Sequence, residues 1–221
     1  MKIRRLQLTW LKIKLVAEDK RMASAEPQSA TIGPWKAYIM ALERVEERMD
    51  RICRALDEHR VPFALVGGQA VALWVATIDP SATRTTKDVD IAVEKANLPA
   101  VRAAANSINM SYSEVMGIGM LLERDDPNLK HAVHLLWAGE QVRPNDVAFV
   151  PATTECVFIE PQRPVVPLAG LVAMKLQANR DHDRTHLRDL IGVGLVDRGM
   201  LLMLPPELAP GLDALLTELG V

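Results

Sequence analysis

Cysteine is nearly absent. The 221 residues hold two, Cys53 and Cys156, both in apolar-periodic stretches. With no CxxC and no close Cys–His spacing, neither a disulfide framework nor a Cys/His metal cluster finds support, and buried thiols in a reducing compartment are expected. No run comes near the roughly eighteen uninterrupted apolar residues of a membrane span, so a cytoplasmic chain with no membrane partner is expected. Excess positive charge is missing too. The net charge is −2, with a local +5 in residues 1 to 21 and −7 on the rest. An acidic body does not attract nucleic acid in bulk, so any such partner must be held locally. There is no repeat and no low-complexity tract.

What is present is an ample core, with 49% apolar residues, in one domain or one domain plus an appendage. In the basic start, Lys12 and Lys14 interrupt the apolar stretch and argue against a signal peptide. "LQLTWLKIKLV" reads equally as an added strand or as a loosely attached extension. The loop "AEPQSATIGP" makes a boundary, so residues 1–34 are an extension, 35–160 a core and 161–221 a C-terminal helical part packed on it. Leu42, Val45, Met49, Ile52 and Leu56 recur at helical spacing between Lys36 and Arg60. "FALVGG", "KDVDIAV", "HAVHLLWAG" and "CVFIE" read as strands. Gln69–Ala76, Leu98–Ile108, a stretch from Pro167 to about Arg180, another from about Asp183 to Gly192 or Gly194, and the C-terminal end read as helices. Residues 110 to 130 are ambiguous, because Gly117 and Gly119 suit either irregular structure or a strand. The class expected is α+β (mixed α/β), a small mixed sheet flanked by helices.

Two features do not fit a plain core. Asp88 and Asp90 interrupt an apolar strand, and residues i and i+2 on a strand point the same way, with Cα atoms roughly 6.5 to 7 Å apart. Two parallel carboxylates repel unless a cation sits between them, and hard oxygen ligands suit Mg²⁺ or Mn²⁺. Such an ion is typically shared with substrate phosphates, which implies a phosphate-bearing substrate. The second feature is Gly67-Gly68, closing one strand and opening a helix. It lets backbone approach a ligand and aims free N–H groups at an anion. Arg84, just before the aspartates, adds a candidate bidentate phosphate contact. A Gly-Gly alone is often only a turn, and a DxD alone often a solvated edge strand.

"LVGGQAVALW…RTTKDVDIAV" resembles the nucleotidyltransferase superfamily typified by DNA polymerase β, and within it the branch of AbiEii-type toxins. The resemblance spans about residues 40 to 197. It implies a nucleotidyltransferase-like fold, Gly67 and Gly68 against the triphosphate of an NTP, and Asp88 and Asp90 holding divalent metal. It also implies transfer of a nucleotidyl group to a hydroxyl of RNA, protein or a small molecule, and a toxin role with an antitoxin partner. The interval from Gly68 to Asp88 is longer than in the minimal superfamily motif. The superfamily usually adds a third carboxylate from a neighbouring strand; the matching stretch here, "AVHLLWAGE", has His134 at that place. Imidazole can accept a proton or ligate metal but adds no negative charge. His134 as base, Glu140 reaching in from the next loop, a site that binds without efficient turnover, and a histidine satisfied within the sheet all remain open.

In "PLAGLVAMKLQANRDHDRTHLRDL", Leu168, Leu171, Val172, Lys175 and Asn179 share a helical stripe. A lysine there either snorkels to water or points into the cleft at a triphosphate, as the resemblance implies. His182 and His186 lie four apart but lack the HExxH glutamate, so a zinc-protease reading fails. Asp183, Arg184, Arg188 and Asp189 are expected to form helix-surface pairs. The leading expectation is an Mg²⁺-dependent nucleotidyltransferase with Asp88, Asp90 and His134 at its centre and Gly67, Gly68, Arg84 and Lys175 on the nucleotide. The alternative is a catalytically weak nucleotide- or partner-binding module of the same fold.

Overall fold

The computed structural model describes residues 32–160 and 163–221. The two readings of "LQLTWLKIKLV" lie outside the described residues. Contacts divide the chain into Met1–Met40 and Ala41–Val221. The described residues of the first unit begin helix α1 (Pro34–Glu58), where the rings of Trp35 and Tyr38 pack 5.5 Å apart.

In the second unit, α1 buries Val45, Met49, Ile52 and Leu56, four of the five positions that carry its helical apolar period. Pro62 follows, and β1 (Phe63–Val66) runs buried along its whole length into α2 (Gly67–Ala76). β2 (Val89–Val93), α3 (Leu98–Ser107), β3 (Met110–Val115), β4 (Ile118–Glu123) and β5 (Val133–Trp137) come next. Then follow β6 (Val157–Glu160), β7 (Arg163–Val165), α4 (Leu168–Ala178), α5 (Asp181–Gly192) and α6 (Ala209–Leu219). No helix among the described residues is long and apolar enough to cross a membrane.

All seven strands join one mixed sheet in the order β3-β4-β5-β2-β1-β7-β6. β2 lies antiparallel to β1 and parallel to β5, and β1 lies parallel to β7. A parallel neighbour needs a long crossover; between β2 and β5 that crossover is α3 with the β3–β4 hairpin. The class is mixed α/β, as the sequence leads one to expect. The sheet is larger than its four legible strands. The ambiguous region forms β3 and β4, joined through Met116 and Gly117 at φ 53° and 80°. Two successive positive φ values belong to the tight hairpin turn whose twist suits paired strands, so Gly117 marks a turn. Gly119 has another setting: a Cβ there would stand 3.2 Å from the rings of both Trp137 and Tyr112, which would have to give way by a few tenths of an ångström. β7 escaped notice because it is three residues long and contains Pro164, a residue tolerated in sheets only at edges and short pairings.

β1, β2 and β5 form the sheet centre, with Leu65, Val66, Val89, Ile91 and Val133 fully buried. Arg51 ties α1 to the sheet through Glu123 at 3.1 Å and the Ile108 carbonyl at 2.8 Å. Both cysteines are free thiols. Cys53 is buried, which pushes its thiol up to about 12, whereas Cys156 is only partly buried.

Ile91 is fully buried at the sheet centre, so Ile91→Ala should cost about 2–5 kcal/mol in urea unfolding. Leu202, 92% exposed, should change stability by less than about 0.5 kcal/mol when cut to alanine.

Candidate active site

The site lies within the second unit, where β1 ends and β2 and β5 begin. Val66 is extended, and Gly67 turns to φ +66°, a left-handed conformation that glycine adopts without strain. Space demands glycine as well. A Cβ at Gly67 would lie 2.0 Å from Oδ2 of Asp90, and one at Gly68 would lie 2.7 Å from Oγ1 of Thr86. The glycine pair thus makes room for two side chains of the β2 approach, in addition to opening α2. No side chain caps the N-terminus of α2, which leaves its first N–H groups without side-chain acceptors.

Asp90 sits on β2, paired in register with Val66 on one side and His134 on the other. Asp88 immediately precedes the strand, and its N–H donates to the Thr86 hydroxyl. The His134 ring lies on the Asp90 side of the sheet, with Nδ1 3.1 Å from Oδ1 of Asp90. An ionised carboxylate only accepts, so Nδ1 carries the proton and Nε2 is left with the free lone pair when the ring is neutral. That hydrogen bond raises the His134 pKa above the ordinary histidine value, against an opposing pull from burial, with the charges of Asp90 and Asp88 adding to it.

A cavity of about 310 Å³ opens over these residues. Gly67, Gly68, Asp88, Asp90, His134 and Lys175 all line it. Arg84 does not. Its guanidinium faces Asp189, with Nε 2.7 and 2.9 Å from the two carboxylate oxygens, and it borders a separate groove beside α1 and α2. Glu140 is also outside the cavity, paired with Lys95 at 3.4 Å.

Lys175 is 6% exposed, and its Nζ donates to Asp183 at 2.9 Å. Asp183 is fully buried and receives Arg180 Nε as well, at 2.7 Å. The expectation that Asp183 makes a helix-surface pair is therefore corrected: it points inward, where the buried lysine needs a counter-charge. Burial pushes the Asp183 carboxyl up, but hydrogen bonds from Arg180 and Lys175 outweigh it and hold the pKa at about 2. Of the other three, Arg184 pairs with Asp181, Arg188 with Glu218 and Asp189 with Arg84. His186 also lines the cavity. Burial, with the Lys175 charge near it, lowers its pKa to about 4, and its buried Nδ1 has no hydrogen-bond partner among the described residues. Arg143 and Asp146 complete a wall that escaped sequence reading. They come from the loop between β5 and β6, which carries no periodicity or motif.

Among the described residues no Lys or Arg pairs with Asp88 or Asp90, and no group of three or more His, Cys, Asp and Glu converges as a metal cage. Two carboxylates facing one cavity suit a hard divalent ion that takes its remaining ligands from phosphate and water. The residues present fit such an ion and lack a self-sufficient protein cage.

No protein-family model matches the chain, and no curated protein does. Two solved structures are similar in outline. One is the solution structure of the antibiotic-resistance factor ANT(2'')-Ia, 13% identical over 82% of this chain and 91% of that one, with a TM-score of 0.47. The other is ANT(2'')-Ia crystallised with adenylyl-2''-tobramycin, 16% identical over 76% and 86%, with a TM-score of 0.38. Likenesses of that depth decide neither fold nor chemistry, which rest on the geometry above.

Removing Asp183 leaves Lys175 charged and buried, so Asp183→Asn should cost about 3–5 kcal/mol, while Lys175→Met with Asp183→Leu should recover most of it. Denaturant unfolding checks both. His186 predicts a pH dependence. Its folded pKa lies below the unfolded value of 6.5, so the unfolded chain takes up the proton first as pH falls. The stability is complete above pH 6.5 and is lost between 6.5 and about 4, by about 2 kcal/mol after allowance for partial exposure. The thermal midpoint of His186→Gln should fall less than that of the wild type across this window.

Proposed function

We propose that the chain is a nucleotidyltransferase that binds an NTP in this cavity and transfers its nucleotidyl group to a hydroxyl. The observation that carries the reading is the convergence of Gly67, Gly68, Asp88 and Asp90 on one cavity. An uncapped helix N-terminus favours phosphate, and two carboxylates with no Lys or Arg partner among the described residues favour the divalent ion that phosphate brings with it. Mg²⁺ or Mn²⁺ held by Asp88 and Asp90 would neutralise phosphate charge and polarise the reacting phosphoryl group.

In the proposed reaction the acceptor oxygen bonds to the α-phosphorus, the bond from that phosphorus to the β-phosphate bridging oxygen breaks, and pyrophosphate leaves with the electron pair. His134 is the base. Asp90 holds its Nδ1–H, which points the basic Nε2 away from the carboxylate and leaves it free to take the hydroxyl proton, as in other carboxylate-oriented imidazoles. His134 supplies no negative charge where the resemblance leads one to expect a carboxylate. That favours a second reading, a nucleotide-binding module that turns over weakly if at all. The acceptor is proposed as a hydroxyl of a small molecule, RNA or protein, and the AbiEii-type resemblance of residues 65–93 adds a cytoplasmic toxin role with an antitoxin partner.

The test uses each NTP labelled at the α-phosphate, with Mg²⁺ and candidate acceptors. Wild type should deposit label on an acceptor, and Asp90→Asn should lower the rate by at least about 100-fold. His134→Ala should abolish transfer and keep nucleotide binding, while His134→Asp should raise both Mg²⁺ affinity and rate. Full transfer by His134→Ala would remove the base role. No transfer by wild type or His134→Asp would put the binding-module reading first.

A further inference from the structure

Of the cations in and around the cavity, most are already spent within the protein. Lys175 and Arg180 both bond to the buried Asp183. Arg84 is turned to Asp189 outside the cavity. Arg143 differs. It lines the cavity, and among the described residues no hydrogen bond or ion pair engages its guanidinium; only its backbone N–H is used, donating to Asp146 Oδ2 at 2.9 Å.

The loop that carries Arg143 is built rather than slack. Gly139 N–H donates to the Val150 carbonyl at 2.8 Å and Val150 N–H to the Glu140 carbonyl at 3.0 Å, closing its base, and Gln141 pairs with Phe149 above them. The turn from Arg143 to Asp146 is closed by Asp146 N–H on the Arg143 carbonyl at 3.1 Å. Gln177, on α4 two residues beyond Lys175, accepts the N–H groups of Val147 and Ala148 through Oε1. The helix that closes one wall of the cavity therefore also fixes the loop that forms the next. Leu136, two residues on from His134 and on the same strand face, lines the cavity and continues its floor from the aspartates toward this loop.

We infer that Arg143 is the phosphate-binding cation of the site and receives the two phosphates that leave as pyrophosphate, with Gln177 as the residue that positions its loop. This rests on the nucleotidyltransferase reading and replaces Lys175 and Arg84 in the role that the sequence pattern gives them. An NTP adds its own negative charge to that of Asp88 and Asp90, and a divalent ion offsets only part of the sum. A guanidinium with no partner among the described residues supplies the rest and can grip phosphate oxygens two at a time. It lines the same cavity as Asp88 and Asp90, where the charge that develops on a leaving pyrophosphate needs a partner. The nucleoside end of the ligand, being uncharged, gains nothing from it.

The test is the ratio of NTP affinity to NMP affinity, measured by calorimetry on the full chain with Mg²⁺. Each of the four common ribonucleotides is used as a pair with its monophosphate. Arg143→Ala should lower that ratio by about tenfold or more, Arg143→Lys should restore part of it, and Gln177→Ala should lower it less. Circular dichroism melting of each variant checks that the fold is kept. If wild type binds an NTP and Arg143→Ala leaves the ratio unchanged, this inference fails and the nucleotidyltransferase reading stands. If wild type binds no NTP, both fail.

Discussion

The carboxylate of Asp90 holds the centre of the molecule in place. One oxygen lies over Gly67, where even a methyl group would collide, and the other accepts the Nδ1–H of His134. Three chain segments thus meet at one side chain: the β1–α2 turn, β2 and β5. The contact dictates glycine at position 67, sets the tautomer of His134, and brings the N-terminus of α2 beside the two aspartates. A half-buried carboxylate between a backbone turn and an imidazole is costly unless it is fully used. The proposed function gives it a further use as a ligand for divalent metal.

Around this centre the charges divide into two groups. One is bonded together within the protein: Lys175, Arg180 and Asp183 satisfy each other within the α4–α5 pair. Removing Asp183 from it is expensive, because Lys175 is left charged and buried. The other group lines the same cavity outside that cluster and includes Asp88, Asp90, His134 and Arg143. A ligand that carries phosphate and a divalent ion complements this second group without disturbing the first.

The sequence made the local rules legible and left the long-range pairings hidden. Helix α1 shows in the spacing of Val45, Met49, Ile52 and Leu56, and β1, β2 and β5 show as apolar runs between turn residues. The β3–β4 hairpin was obscured because Gly117 and Gly119 have different jobs, one in a turn and one beneath two rings, and neither job has a periodic signature. In the site, the i, i+2 spacing of Asp88 and Asp90 and the glycine pair were readable as an anomaly in a core pattern. The partners of Lys175 and Arg84 were not, since Asp183 and Asp189 reach them only once α4, α5 and the 83–86 loop have packed. Arg143 gave no signal at all, because its unengaged guanidinium stands out only once Lys175, Arg180 and Arg84 are seen bonded elsewhere.

The proposed chemistry needs Asp88 and Asp90 to hold a divalent ion together with the phosphates of an NTP. Calorimetric titration of NTP into the full chain, with Mg²⁺ and then with EDTA, tests it most directly when repeated on Asp88→Asn. Binding with Mg²⁺ should be weakened at least about tenfold by EDTA, and by a similar factor by Asp88→Asn. Equal affinity with and without the metal, unaffected by Asp88→Asn, would contradict it.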